Sequence, residues 1–272
     1  MTRKPALAAI AATFAAILAA PALAADAEDV ARLKSTGSCK ECDLRRADIK
    51  GVSMEGADLA KAMLRDVDGK DIVMPLANLA RADLRRADLE KADLRGANFE
   101  KANLAGSDLE KAILDNANLA RADLSEADME NVSAEGADLS KATMVSVLAK
   151  RSNFAGANFS GAEMTRIRLE RSNLEGADLS EAKITFADLE RANLRGANLR
   201  DARLKGARLT RADLTGADLR DADLDDALLR LTNLSGADLS DVSGLDADML
   251  EGACGDAQTK LPRGFSVVLC AE

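Results

Sequence analysis

The stretch ADLRRADLEKADLRGANFEK, residues 82–101, decides the fold. It is one five-residue unit written four times. Ala82, Ala87, Ala92 and Ala97 open the units; Asp83, Asp88, Asp93 and Asn98 follow; Leu84, Leu89, Leu94 and Phe99 come third. Read outward, the frame runs from Cys42-Asp43-Leu44 to Gly252-Ala253-Cys254 with no inserted or deleted residue, which makes 43 units. The third position is Leu, Ile, Met or Phe in 38 of them; the exceptions are Gly69, Ala134, Ala149, Gly244 and Cys254. So strict a repeat fixes an architecture before any residue is examined singly.

An α-helix cannot use this spacing. At about 100° per residue, five residues carry the Leu roughly 140° around the axis, and no apolar stripe forms. A flat strand fails too. Ala and Leu, two apart, share a side, but the next Ala lies an odd three residues on. The chain must turn a corner once per unit, with the first and third positions inside. A slower period counts the walls. Gly recurs at the fifth position every twenty residues, as Gly56, Gly96, Gly136, Gly156, Gly176, Gly196, Gly216 and Gly236, with Leu76 and Asn116 as gaps. Twenty residues are four units, so four walls per turn are predicted. The Gly column should mark type II corners, whose third residue needs positive φ. Stacked at about 4.8 Å, nearly eleven coils would make a rod about 50 Å long.

These units resemble the pentapeptide-repeat family over about residues 42–254. The resemblance implies an all-β solenoid, a right-handed quadrilateral β-helix of about eleven coils with an N-terminal helical cap and a C-terminal cap. Family functions are diverse, so the likeness carries the fold and no single activity.

Residues 1–24 read as a cleaved secretory signal. Arg3 and Lys4 precede an apolar run from Ala6 to Ala20, and Ala22-Leu23-Ala24 is the cleavage motif. Its loss removes two positive charges and moves the net charge from −9 to about −11. The run is too short for a membrane anchor and ends at Pro21. A periplasmic or secreted protein without a membrane span is expected. Residues 25–41 should form the first cap: Asp26 as N-cap, Gly37 as stop, and Ala27, Val30, Ala31 and Leu33 as a narrow apolar face. Residues 255–272 should close the far end, with Leu261, Phe265 and Val267-Val268-Leu269 as a compact apolar tail.

The four cysteines sit at the two ends. Four allow three pairings. A rod tens of Å long rules out two, because a disulfide needs Cα atoms within about 7 Å. Cys39–Cys42 and Cys254–Cys270 remain, and an oxidising compartment permits both. Zinc held by all four fails on the same distance, and a redox-active CxxC lacks a thioredoxin-like context.

There is no His, Tyr or Trp. That removes the commonest general base and metal ligand, and with them the usual triads. Carboxylates abound but are spread along a convex rod. The Asp/Asn ladder of Asp58, Asn78, Asn98, Asn118 and Asp138 should hydrogen-bond to nearby turn backbone. Its spacing lacks an EF-hand loop. No enzyme activity, metal or cofactor is expected.

The outward positions carry the remaining information. One fifth-position column reads Lys61, Arg81, Lys101, Arg121 and Lys141, then Gly161, then Glu181, Asp201, Asp221 and Asp241. This edge is basic in its first half and acidic in its second. Like charges stacked so closely repel. As a functional surface it would dock a charged partner or align two copies antiparallel; as a plain solvated face it would do neither. A neighbouring edge pairs Glu90 with Lys91, Glu110 with Lys111, Glu170 with Arg171 and Glu190 with Arg191, which compensates charge locally. The breaks at Met63–Leu76 and Val132–Ala149 keep the count of five and read as local reshaping of the core.

The expected function is therefore a non-catalytic scaffold or protein-interaction module with a protein partner in the cell envelope. The alternative, implied by the resemblance, is a DNA-mimicking rod that binds topoisomerase. The signal sequence and the basic column oppose it, and no nucleic acid partner is expected.

Overall fold

The computed structural model of the protein describes residues 25–270; the leader read over 1–24 lies outside them. The spine is a ladder of parallel bridges. Asp43 pairs with Met63, Asp48 with Asp68, Ser53 with Val73 and Asp58 with Asn78, and the pattern continues at steps of twenty. Four bridges per turn give four walls, as the spacing predicts. The walls are not sheets of regular strands, however. A corner every five residues leaves one bridging residue per wall per coil. Among the described residues, two-residue strands occur only on the C-terminal side: β1 (Cys254–Gly255) and β2 (Val268–Leu269), paired in parallel.

One unit shows where the backbone hydrogens go. Ala82 N–H bonds to Leu79 C=O at 3.0 Å and closes the preceding corner. Asp83 N–H reaches back to Ala62 C=O at 3.0 Å, while Leu84 and Arg86 N–H reach forward to Asn103 and Ala105 C=O at 2.7 and 3.1 Å. The fifth amide, on Arg85, bonds to the Asp83 carboxylate at 3.3 Å. All five donors are satisfied, which a closed backbone stack requires. The second-position carboxylate or amide is thus part of the corner, as the sequence suggests. The Asn members also link coils, with Asn78 Nδ2 donating to Asp58 Oδ1 at 3.1 Å and Asn118 Nδ2 to Asn98 Oδ1 at 3.1 Å.

The glycine column does not single out a corner type. Every fifth-position residue from Glu41 to Asp241 has φ near +60°, whether Gly or not; Arg81 sits at 59° and Gly96 at 64°. Positive φ costs a side-chain-bearing residue roughly 1–2 kcal/mol. Here the ladder bonds on both sides hold it in place. Glycine has a second role. The fifth-position side chain leans over the next coil, and where it is large and apolar the residue beneath is Gly: Leu76 lies over Gly96, Phe186 over Gly206 and Leu231 over Gly252.

The interior is filled by first-position Ala and third-position Leu, Met, Ile and Phe. One of the two core Ala residues is balanced by an aromatic. Ala134 lies one coil before Phe154, whose ring meets Phe159 edge-on with centroids 5.4 Å apart. The Gly69 gap is occupied from the next coil by the Leu89 side chain. Ser152, Ser172 and Thr232 replace Ala and return their hydroxyls to the carbonyls of Met129, Ala149 and Leu209 at 2.7, 2.6 and 2.9 Å. Ser107 is equally buried, but its Oγ has no partner.

At the N-terminal side, α1 (Ala27–Thr36) begins at Asp26, whose carboxylate accepts from Glu28 N–H, and stops at left-handed Gly37. Only Leu33 is buried and Val30 is partly covered. Ala27 and Ala31 stay exposed, so the apolar face is narrower than the sequence implies. The first rung is Ser38 with Asp58, one unit before the frame was read to begin.

The far end departs from the five-residue count. After Ser243 the ladder pairs Asn233 with Cys254 and Asp238 with Lys260, steps of 21 and 22. A 3-10 helix, Ala247–Leu250, takes the extra residue. Ala253, not Gly252, then turns inward, and Cys254 becomes a rung residue and not a core one. In the tail, Leu261, Phe265 and Val267 pack on the core. Val268 and Leu269, read as part of that apolar tail, are instead 67% and 78% exposed, because β2 is held by backbone bonds to β1.

Candidate interaction surface

The fifth-position column from Lys61 to Asp241 lies along one edge, and all its members are exposed. Each side chain is carried by the left-handed corner residue, so successive charges stack one coil apart, about 4.8 Å. Three find partners in the chain. Lys61 Nζ lies 2.9 Å from Glu41, Lys101 2.6 Å from Glu100, and Asp221 3.5 Å from Arg200. The Lys61 hydrogen bond and charge hold the Glu41 carboxyl below its usual range, and Lys101 does the same for Glu100. Arg81, Arg121, Lys141, Glu181, Asp201 and Asp241 have no ion-pair partner among the described residues. Steps of twenty residues per coil keep every member of the column on one edge. The structure adds that the split charge is left uncompensated at six positions.

The neighbouring edges behave differently. Glu90 is gripped by Lys70 at 2.8 Å and Lys91 at 2.7 Å, and these two hydrogen bonds hold its carboxyl down to about 2. Asp83, Asp93 and Asp218 are each bridged by the Arg two residues on. The Glu–Lys column is thus largely self-neutral, as expected. The 170–191 stretch is looser: Glu190 keeps Arg191 at 3.9 Å but lies nearer Arg208 at 3.1 Å, and Arg171 has no carboxylate in range among the described residues. Lys150, Arg151, Glu170, Arg171, Glu190 and Arg191 line an open trough there. The recurrence of Arg at 151, 171, 191 and 211 was the available signal for it.

The cysteines lie at bonding distance in the two predicted pairs, with Cα separations of 5.3 Å for Cys39–Cys42 and 4.7 Å for Cys254–Cys270. The Asp29 carboxylate comes within 4.8 Å of the first pair's sulfurs. Sulfurs bonded to each other offer no thiolate, so this trio is not a metal site while the pair is closed. The sequence reading missed Arg32, which bridges Asp29 at 2.7 Å and turns its guanidinium to the Cys42 sulfur. No helix among the described residues is long and apolar enough to cross a membrane.

The sequence profile described as pentapeptide repeats matches eight copies, over residues 38–68, 77–116, 112–148, 152–191, 172–211 and 207–243. Among solved structures, the chain is 33% identical to HetL, a pentapeptide repeat protein involved in heterocyst differentiation regulation from the cyanobacterium Nostoc sp. strain PCC 7120. That match covers 76% of this chain and 86% of HetL, with a TM-score of 0.31. QnrB1, a plasmid-mediated fluoroquinolone resistance protein, is 19% identical over 76% of this chain and 89% of its own, with a TM-score of 0.29. A pentapeptide repeat protein of the Arabidopsis thaliana thylakoid lumen is 29% identical over 38% of this chain and 68% of its own, with a TM-score of 0.15. No curated protein sequence matches the chain. The profile spans well over half of the residues, its five-residue beat is the beat of the bridge ladder, and the chain belongs to the pentapeptide-repeat family.

Proposed function

We propose that the protein is an interaction rod of the cell envelope, working through its outer charge columns and without chemistry of its own. The observation that carries this reading is the split edge. Arg81, Arg121 and Lys141 in one half, and Glu181, Asp201 and Asp241 in the other, stand exposed and unpaired among the described residues, while the adjacent columns are largely neutralised by pairs such as Arg85–Asp83 and Lys91–Glu90. Stacked like charges weaken a solenoid, so an external partner of opposite sign is the economical use of such an edge. The leader composition of residues 1–24 supports an envelope or secreted location. The same reading takes α1 and the segment after Ser243 as caps on a rod of about eleven coils, each closed by a disulfide. Cell fractionation tests the location; processed protein in the periplasm or medium is the expected result. Affinity capture from the envelope fraction tests the surface, comparing the native chain with one carrying Ala at Arg81, Lys101, Arg121 and Lys141. A partner set unchanged by those substitutions would remove the edge as a docking surface.

The net charge of −9 favours a second reading, a DNA-mimicking rod that binds topoisomerase. The basic half-edge interrupts its acidic surface. A supercoiling assay with a type II topoisomerase and its inhibitor decides it: protection by the purified protein would support the mimic, and none is expected.

A further inference from the structure

We infer that the split edge docks a second copy of this chain, antiparallel, about a two-fold axis passing at Gly161. This rests on the reading of the edge as an interaction surface and names its partner. An axis tangent to the edge and perpendicular to the rod lays the column against its own copy in reverse order. Residues equally far from Gly161 then meet. Lys141 faces Glu181 one coil out, and Arg121 faces Asp201 two coils out. Beyond them, Lys101 faces Asp221 and Arg81 faces Asp241. Each contact is of opposite sign and occurs twice by symmetry. The basic residue left over, Lys61, already has Glu41 at 2.9 Å in its own chain.

Four further observations favour this arrangement. Lys101 and Asp221 keep in-chain partners in either register, but shifting the copies by one coil would bring Lys141 against Gly161 and draw on Lys61, already paired with Glu41, as well. A parallel pair would stack Lys on Lys and Asp on Asp. The adjoining fourth-position column is low near the axis, with Ser140, Ser160 and Ser180, and at three coils it opposes Glu100 to Arg220. Gly161 itself is not demanded by the corner. Its φ of 64° is matched by Lys141 and Glu181, both at 56°, and a Cβ there would meet only Lys141 Cγ at 3.6 Å, an ordinary contact. The missing side chain instead lets two edges approach where the axis crosses them.

An interface made of exposed ion pairs is weak and screened by salt. Sedimentation of the purified protein should give twice the monomer mass at about 0.01 M salt and the monomer mass at about 1 M. Arg121→Glu should weaken the low-salt dimer about tenfold, because it turns two attractions into repulsions. Adding Asp201→Arg to that variant should restore it. A monomer at low salt, or a dimer indifferent to salt and to Arg121→Glu, would overturn the proposal. Rescue by Glu181→Arg in place of Asp201→Arg would displace the axis from Gly161 and overturn it as well. A monomeric protein whose envelope capture is still lost on the four Ala substitutions would leave the surface reading intact and remove only the second copy.

Discussion

The Phe186 ring lies over Gly206 so closely that a Cβ on residue 206 would come within 2.5 Å of it. The two are one coil apart on one edge, and Phe186 is 53% exposed. Gly206→Ala must push the ring outward in addition to bearing positive φ. Gly196→Ala bears the φ alone, since nothing lies near that position. We expect Gly206→Ala to cost about 1 kcal/mol more than Gly196→Ala in denaturant unfolding. The difference should vanish in a Phe186→Ala background. Equal costs in the native background would contradict the packing described.

Ser107→Ala should stabilise the rod. The hydroxyl is buried at 1% exposure with no partner, in a column otherwise built mainly of Ala. Removing an unsatisfied buried hydroxyl returns about 1 kcal/mol or more. Ser172→Ala should lose stability, because its Oγ bonds to Ala149 C=O at 2.6 Å. The two midpoints should therefore move in opposite directions in urea.

Acid should loosen the C-terminal end. Burial works against ionisation of Asp238, but hydrogen bonds from Lys260 and Ser240 prevail and hold its carboxyl down to about 2. Glu90 is held equally low by Lys70 and Lys91. Both pKa values are depressed on folding, so their stabilisation is complete above the ordinary carboxylate range, near about pH 4, and is lost as pH falls through about 2. Calorimetry should show Tm declining across that window. Asp238→Asn should shallow the decline; an unchanged slope would exclude the Lys260 pair as a source.

Opening Cys254–Cys270 should release β2 before the rest unfolds. The pair spans a separation of 16 residues, and such a closure contributes about 3 kcal/mol. Under reducing agent, amide exchange at residues 255–270 should accelerate while the central coils stay protected. A thiol titration that finds free cysteine in the untreated, unfolded chain would show the pair was never closed.

The walls and corners were legible because five-residue spacing of Ala and Leu is a geometric demand that neither helix nor strand can meet. The Asp/Asn ladder was legible for a similar reason: a short acceptor two residues before a corner amide has one natural partner. The end was not. Gly252-Ala253-Cys254 looks in frame, and only the 3-10 helix at Ala247–Leu250 shows that one residue is taken up before it. The exposed Leu76, Phe186 and Leu231 say little by themselves. Their meaning lies in the glycine one coil later, a relation between positions at least twenty residues apart. The sign of each column could be read directly, but not which charges were already neutralised, since Lys61 and Arg81 look alike in sequence and only Lys61 meets a carboxylate.

The drift from steps of 20 to 21 and 22 after Ser243 has a consequence for growth. A solenoid whose last turn matched its first would be a seed, and copies could add end to end without limit. Here the last two rungs of the described residues are each displaced by a further residue, so a coil built of plain five-residue units would not follow them in register.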